Sequence, residues 1–431
     1  MKFILEQSEE HITTHSGLSL VGLLVSKTSL KERLNQTRLP GVSAPEIPHG
    51  DVAVAYLGLL CQGKSDFDCI EPFREDSFFE IALGLGRTPS SPTLRQRLDM
   101  AAKNLKWRQI ILEESLNLIK NAGAPITPIT LQKKQYVPLD IDVSPFDNSK
   151  TKKEGVSRTY KGFDGYAPIF AYLAEEGYAI NGELREGKEH CQKNTPFFLL
   201  QSIRLAKQLT NLPLLARLDS GNDSSDNVRV CLEEETDFII KRNLRKESLE
   251  EWLKIAKEKG MCCLERPGKD VYLGSLERNG VRVVFKVIER TIRADGHLFP
   301  EIEVETWWTS LDFPASVIVE LYEAHGTSEQ FHSEIKTELD LERLPSGKFA
   351  TNNLALHLGL LAYNILRVIG QESLRVADVH LKMFRRRIRT VIQNLIYLAS
   401  RVVYHARRYK LGFSRYCPWF ATFKRVYFAF A

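Results

Sequence analysis

YVPLDIDV, residues 136–143, carries two chemistries in alternation. Val137, Leu139, Ile141 and Val143 fall on one face of an extended chain, and Asp140 and Asp142 on the other, because successive side chains of a strand point to opposite faces. Aspartate is depleted in strands. Two of them projecting together from an apolar strand therefore mark a place where carboxylates are wanted. Before this stretch lie about 130 residues that read as helical, and then GAPITPIT, a linker by composition. The period of the sequence changes here from that of helices to that of strands.

Outward from this strand the segments follow an informative order. APIFAYL and YAINGELR are strand candidates, and TPFFLLQSIRLAKQL is a helix with apolar periodicity. LPLLARLD is a short apolar run of the kind buried on both faces of a sheet. It ends at Asp219, followed by the turn Ser220, Gly221, Asn222. A helix around Val228–Glu234 and the strand TDFIIKR close the series. Three strands, helix, strand, helix, strand is the order of an RNase H-like α/β mixed sheet, in which a final helix carries a further acid. Reactive groups gather at strand ends in such sheets, which puts Asp142 and Asp219 on neighbouring strands near one edge. DVYLGSL, VRVVFKVIERTI and EIEVETWWTSL, separated by the turns ERNG and RADG, read as a small antiparallel β insertion ahead of that final helix.

The final helix is YEAHGTSEQFHSEIKTEL, residues 322–339. Tyr322, Glu329 and Lys336 are each about two turns apart and share one stripe. His325 and His332 flank Glu329 on the same side, Glu334 and Glu338 fall roughly opposite, and Phe331, Ile335 and Leu339 supply an apolar flank. Three readings compete. A solvated face with stray ion pairs is the default for charged helix residues. A metal site from His325, Glu329 and His332 has suitable ligand types, but its spacing fits no metalloprotease motif. The third reading joins Glu329 to Asp142 and Asp219. Magnesium takes oxygen ligands and keeps several waters. Two such ions roughly 4 Å apart activate a water or a DNA 3′-hydroxyl and stabilise the departing oxygen. Lys336 would approach a phosphate near the scissile bond, and Tyr322 would brace the helix or the substrate strand. Asp140 rivals Asp142 for the first position, while Asp147 and Asp223 read as loop acids.

At 431 residues, 43% of them hydrophobic and 26% charged, the chain has the composition of an ordinary soluble protein. Its seven cysteines are scattered and form no CxxC pair, which argues for a reduced cytosolic setting and against a disulfide framework or a zinc knuckle. MKFILEQSEEH turns acidic too soon for a signal peptide. The most apolar run, NNLALHLGLLAYNILRVIG, contains Asn, His and Arg and reads as a buried helix, so no membrane partner is expected. The net charge of +5 hides an asymmetry. No acid follows Asp378, whereas about a dozen Lys and Arg do, among them Arg385, Arg386, Arg387, Arg389, Arg407 and Arg408, interleaved with Tyr404, Tyr409 and Trp419. That tail reads as a surface for a phosphate backbone. Upstream, residues 77–103 are a helix-turn-helix candidate. Ser91 is a good N-cap, Pro92 suits the first helical position, and Thr93, Arg95, Gln96 and Arg97 stand near the N-terminus of the second helix. An ordinary helical hairpin is the equal alternative.

Taken together, these residues resemble the DDE transposases of bacterial insertion sequences. Tyr322, His325, Glu329 and Lys336 follow the signature Tyr-x2-Arg-x3-Glu-x6-Lys, with His325 in the arginine position. Asp142-Val143-Ser144 follows Asp-x-Thr/Ser, and Arg217-Leu218-Asp219-Ser220-Gly221 follows Arg-x-Asp-Ser-Gly. GFDGYAPIFAYL and LREGKEH, between Gly162 and His190, look like the group called, in words, the thirteen-eighty group; there Arg185 and His190 either contact DNA or order their loop. The resemblance implies Asp142, Asp219 and Glu329 as catalytic and metal-binding residues, Mg²⁺ as cofactor with Mn²⁺ as a substitute, and Tyr322, His325 and Lys336 as contacts to double-stranded DNA. The charge pattern adds Arg95, Arg97, Arg385, Arg386 and Arg387 to those contacts.

The implied activity is cut-and-paste transposition. The protein would bind the terminal inverted repeats of its own element, cut there, and join the freed 3′-hydroxyl to target DNA. It would do so as a homodimer on paired ends, in a bacterial cytoplasm at the nucleoid. The expected organisation is a helical DNA-binding region over 1–130, an RNase H-like core over 131–260 and 312–370, the β insertion over 261–311, and a basic helical region over 371–431. A relic that grips DNA without cutting, and a host nuclease on the same fold, are the competing functions.

Overall fold

The computed structural model describes residues 1–42, 44–291, 301–375 and 383–431. In the N-terminal third, helix α1 (Ser77–Leu83) opens on Asp76, whose carboxylate accepts from the N–H groups of Phe78 and Phe79 at 2.9 and 3.3 Å. It stops at Gly84, where φ is +63°, a left-handed conformation that costs glycine little. Helix α2 (Ser91–Ala101) is capped by the hydroxyl of Ser90, one residue earlier than the sequence suggests. Pro92 sits in its first turn, where its missing N–H would have had no partner. Helix α3 (Leu105–Asn121) completes this helical part.

The sheet is built around strand β1 (Lys134–Val143). It pairs antiparallel with β2 (Ile169–Leu173), which pairs antiparallel with β3 (Tyr178–Glu183). After helix α4 (Thr195–Ala206), strand β4 (Leu214–Leu218) returns to lie parallel to β1. After helix α5 (Ser225–Glu233), strand β5 (Asp237–Lys241) lies parallel to β4. The order β3-β2-β1-β4-β5 is the mixed α/β sheet expected from the sequence. β1, β2 and β4 are buried almost throughout, as strands covered on both faces must be.

Helix α6 (Leu249–Lys259) was not anticipated. Ser248 caps it, and Trp252 and Ala256 form its buried face. Strands β6 (Met261–Arg266), β7 (Lys269–Arg278), β8 (Val281–Arg290) and β9 (Glu301–Thr309) follow as an antiparallel meander. The ERNG turn between β7 and β8 places Asn279 and Gly280 at φ +53° and +74°, the geometry that favours Asn-Gly in tight hairpins. The RADG turn lies outside the described residues. The meander is not a detached small sheet. β9 pairs antiparallel with β5, Ile239 opposite Thr309, so with the short strand Ile129–Leu131, which pairs on β1, the continuous sheet has ten strands.

Helix α7 (Ala315–Glu323) runs into a 3₁₀ turn (Ala324–Thr327), helix α8 (Ser328–Ser333) and a π turn (Glu334–Glu338). Helix α9 (Phe349–Glu372) is long and apolar enough to cross a membrane, but it is buried along almost its whole length, packed on β3 and α3. The C-terminal region departs from the all-helical expectation. Strands β10 (Ser400–His405) and β11 (Arg408–Gly412) form a hairpin before helix α10 (Phe420–Phe430). Val402, Val403, Tyr404 and Tyr409 are residue types that suit a pleated surface, and the Tyr404 and Tyr409 rings pair across the strands at 4.7 Å.

Candidate active site

Register decides which acids meet. Ile141 lies opposite Leu218 across the parallel β1–β4 pair. Asp142 and Asp219 each come one position later, so they stand level at the same edge, on strands about 4.8 Å apart. One row back, Asp140 lies directly opposite Arg217.

Asp219 leaves β4 and caps the short turn Ser220–Asn222, accepting from the Gly221 N–H and from Asn222 Nδ2, each at 3.1 Å. Asp142 accepts from the Val143 N–H through Oδ1 at 2.7 Å and meets His332 Nε2 through Oδ2 at 3.1 Å. His332 is fixed from behind by the Tyr172 hydroxyl, 3.0 Å from Nδ1. The two acids respond in opposite directions. Burial would raise Asp142, but the His332 hydrogen bond and the nearby imidazoles hold it below the usual carboxylate range. Burial, and then the charge of Asp142, push Asp219 up. A largely buried carboxylate, Asp219, penalised by a neighbouring one is what a bound cation relieves, so this donor set fits a hard divalent ion.

Asp140 does not compete for that role. It is buried, takes Arg217 Nε and Nη2 at 2.6 and 2.8 Å, and meets His325 Nδ1 at 2.9 Å. Burial alone would raise its pKa, yet the Arg217 and His325 charges hold it down. Arg217 Nη1 also donates to the Leu321 carbonyl at 2.9 Å, tying the end of α7 to the sheet. His325, expected on a DNA phosphate, is instead 5% exposed and turned onto Asp140. An imidazole is too short to reach both an internal carboxylate and an outside phosphate.

Glu329 sits in the first turn of α8 and is exposed. The helix carrying the stripe read from sequence is not uniform: a 3₁₀ turn, which advances about 120° per residue rather than 100°, lies between Tyr322 and Glu329, and Lys336 lies in the π turn. Among the described residues, no three His, Cys, Asp or Glu side chains form a ready-made metal cluster. Tyr322 packs on Trp307 and His325 with ring centroids 5.7 and 5.8 Å away. Burial, with the charges of Asp219 and Asp142, disfavours its ionisation. Lys336 is partly buried, its Nζ 5.6 Å from the Phe146 ring, and burial lowers its pKa. Glu334, which the sequence places roughly opposite Glu329, faces the interior. It is fully buried and paired with Arg367.

Two residues near the acids were not assigned to the site from sequence. His332 enters the sequence reading only as a flank of Glu329 and in the alternative His325–Glu329–His332 metal site, not as a partner of the aspartates, and its contact with Asp142 spans 190 positions. Tyr160 lies within 3.4 Å of the Val143 carbonyl and senses the charges of Asp142 and Asp219; nothing in its local sequence signals this. Arg185 is buried and orders its own loop through the Cys191 carbonyl at 2.9 Å. Asp223 is a loop acid that holds the Trp308 indole and the Asn243 N–H, whereas Asp147 ends the short strand Phe146–Asp147 and accepts from the Ser149 N–H.

The arginines expected on DNA divide into two sets. Arg95 is exposed and only 3.4 Å from Asp68. Arg97 is spent on the Ile47 carbonyl and His49 Nδ1, at 3.0 and 2.9 Å. Arg385 lies over Phe331 at 4.8 Å, Arg386 over Trp419 at 5.1 Å, and Arg387 bonds Glu338 at 2.6 Å. That run therefore anchors the C-terminal region to the core. The hairpin instead carries exposed cations: Arg401, which pairs with Glu10 at 3.2 Å, and Arg407, Arg408 and Lys410.

The family model for transposase DDE domain group 1 matches residues 3–430. No curated protein matches the chain. Among solved structures, a piggyBac transposase, determined by cryo-electron microscopy as a synaptic complex with hairpin DNA, is 12% identical, with a TM-score of 0.45 over 90% of this chain and 82% of that one. The chain belongs to the transposase DDE domain group 1 family, whose members are DNA-cleaving transposases.

Proposed function

We propose that this transposase binds the terminal inverted repeats of its own mobile element, cuts there and joins the freed 3′-hydroxyl to target DNA. The observation that carries this reading is the level placement of Asp142 and Asp219 at one sheet edge, with opposite acidity shifts. The family's chemistry runs on a divalent metal, for which Mg²⁺ is the natural ion and Mn²⁺ a substitute. Asp142, Asp219 and Glu329 would hold it. When bound, it supplies an activated oxygen nucleophile and charge stabilisation for the departing oxygen.

The chain's own residues do the rest. His332 holds Asp142 in one orientation. The Asp140–Arg217–Leu321 link fixes α7 against the strands that carry the acids. Tyr322 braces that helix on Trp307. Double-stranded DNA is the substrate, and the exposed cations of the β10–β11 hairpin with Arg95 supply sequence-independent backbone contacts. A homodimer on paired ends, membership of the thirteen-eighty group and work at a bacterial nucleoid complete the proposal, supported by the motifs between Gly162 and His190 and by seven unpaired cysteines.

Nicking of a cognate end with Mg²⁺ tests it. D142N, D219N and E329Q should each abolish cleavage and leave end binding largely intact. Wild-type nicking by any one of them would remove that residue from the site. Cleavage without strand transfer would instead point to a nuclease.

A further inference from the structure

Beyond Val143, the last residue of β1, the chain forms a separate three-stranded antiparallel sheet from the short strands Phe146–Asp147, Ser157–Arg158 and Asp164–Tyr166. Phe146 lies opposite Tyr166, and Ser157 opposite Gly165. A Cβ on Gly165 would stand 1.9 Å from the Phe146 carbonyl oxygen, so glycine is what lets these strands approach. The sheet is tied down at both ends of its path. The Ser144 N–H donates to the Pro168 carbonyl at 3.0 Å, and the Tyr166 hydroxyl to the Glu154 carbonyl at 2.8 Å.

The second and third of these strands are a hairpin with its tip at Thr159–Phe163. The Thr159 N–H and hydroxyl both donate to the Phe163 carbonyl at 2.8 Å, and the Gly162 N–H to the Thr159 carbonyl at 3.0 Å. Gly162 has φ +83°. Tyr160 and Lys161 are therefore the two central residues of a braced β-turn, and both are exposed. The Tyr160 hydroxyl lies 3.4 Å from the Val143 carbonyl. Val143 directly follows Asp142, whose carboxylate takes the Val143 N–H at 2.7 Å. Tyr160 is nevertheless 67% exposed, so its hydroxyl is engaged at the catalytic edge while much of its ring stays open. Arg158, exposed and 3.7 Å from Asp164, adds a second cation to the hairpin.

We propose that Tyr160 is a DNA-contacting residue, its ring stacking on a nucleobase next to the phosphodiester to be cut, with Lys161 on the backbone of the same strand. This rests on the transposase reading given above and adds a contact to it. A lone exposed tyrosine needs no explanation. This one stands on a braced turn, beside a cation, and reaches the strand that carries Asp142. An aromatic face with a neighbouring cation holds a nucleic-acid strand whatever its sequence. Bases inside a duplex have both faces covered, so the ring takes a base opened from its pair beside the cut.

Photo-cross-linking of the full chain to duplexes of the element's own end, with 5-iodouracil placed in turn at successive positions around the cut, tests the contact in EDTA and so without cleavage. Tyr160 should carry the adduct at one of these positions, located by mass spectrometry. Y160L should nick that end about 10- to 100-fold more slowly, with unchanged stability to denaturant. Y160W restores a stacking ring without the tyrosine hydroxyl and should recover most of that loss. An end that binds but gives no adduct on Tyr160 at any position would overturn the proposal, and needs no variant to fold. So would wild-type nicking by Y160L, or Y160W as slow as Y160L, which would give the role to the hydroxyl. A wild-type chain that neither binds nor nicks the end would overturn the transposase reading itself, an outcome distinct from these.

Discussion

His332 Nε2 lies 3.1 Å from Asp142 Oδ2, and the Tyr172 hydroxyl lies 3.0 Å from the other nitrogen of the same ring. The Asp142 carboxylate can only accept, so it places the ring proton on Nε2, and a tyrosine on β2 donates to Nδ1 and fixes the orientation of this histidine on α8, which in turn sets the carboxylate on β1. Removing the middle member should loosen the carboxylate without removing it. H332A is expected to lower the nicking rate about 10- to 100-fold, the usual cost of losing the group that orients a metal-binding side chain. DNA affinity should stay unchanged. Equal nicking by H332A and the wild type in single-turnover assays would show that Asp142 needs no such support.

The buried pair Arg367–Glu334 sets a stability prediction. Both side chains are fully buried, and Tyr363 and the Ile388 N–H also bond to Glu334. R367M leaves a carboxylate charge inside the protein without its cation. The expected loss is about 3–5 kcal/mol, read by chemical denaturation. R367M combined with E334L should recover much of it, because the uncompensated charge is then gone.

The β10–β11 hairpin turns through Ala406 and Arg407 at φ +51° and +60°, a left-handed conformation that disfavours residues with a Cβ. R407G should stabilise the hairpin by about 1 kcal/mol through relief of that strain. It should also weaken DNA binding nearly uniformly across sequences, lowering the slope of log affinity against log salt by about 1. An unchanged salt slope in R407G would take the hairpin out of the DNA interface.

His357 provides a pH dependence. It is buried in α9 with Nδ1 2.7 Å from the Asn353 carbonyl, and burial pushes its pKa down to about 4. In the unfolded chain the ring takes a proton near pH 6.5. Its contribution is therefore fully present above that value and declines as pH falls toward the folded pKa. The slope is roughly 1.4 kcal/mol per pH unit between those limits. H357Q should flatten the stability profile in this window relative to the wild type, measured by denaturant titration at pH 7.5 and 5.

The alternation of YVPLDIDV, the apolar run ending at Asp219 and the helix caps are local patterns. They were sufficient for the mixed sheet and its strand order, and they single out the two aspartates as candidates, because side-chain period and strand burial are written in neighbouring residues. The β10–β11 hairpin was missed because a basic, aromatic-rich segment has no strong period. The continuity of the β6–β9 meander with the core sheet was missed because it depends on β9 finding β5, a pairing between residues 70 positions apart.

What the sequence determined by itself is therefore the chemistry available: which acids, which strands, which helix. Only the tertiary structure decided how those groups are used. It committed Asp140 to Arg217 and His325, gave Asp142 to His332, and left Glu329 exposed in the first turn of α8. These outcomes depend on register across β1 and β4 and on the phase set by a 3₁₀ and a π turn, and both are fixed by packing between segments remote in the chain.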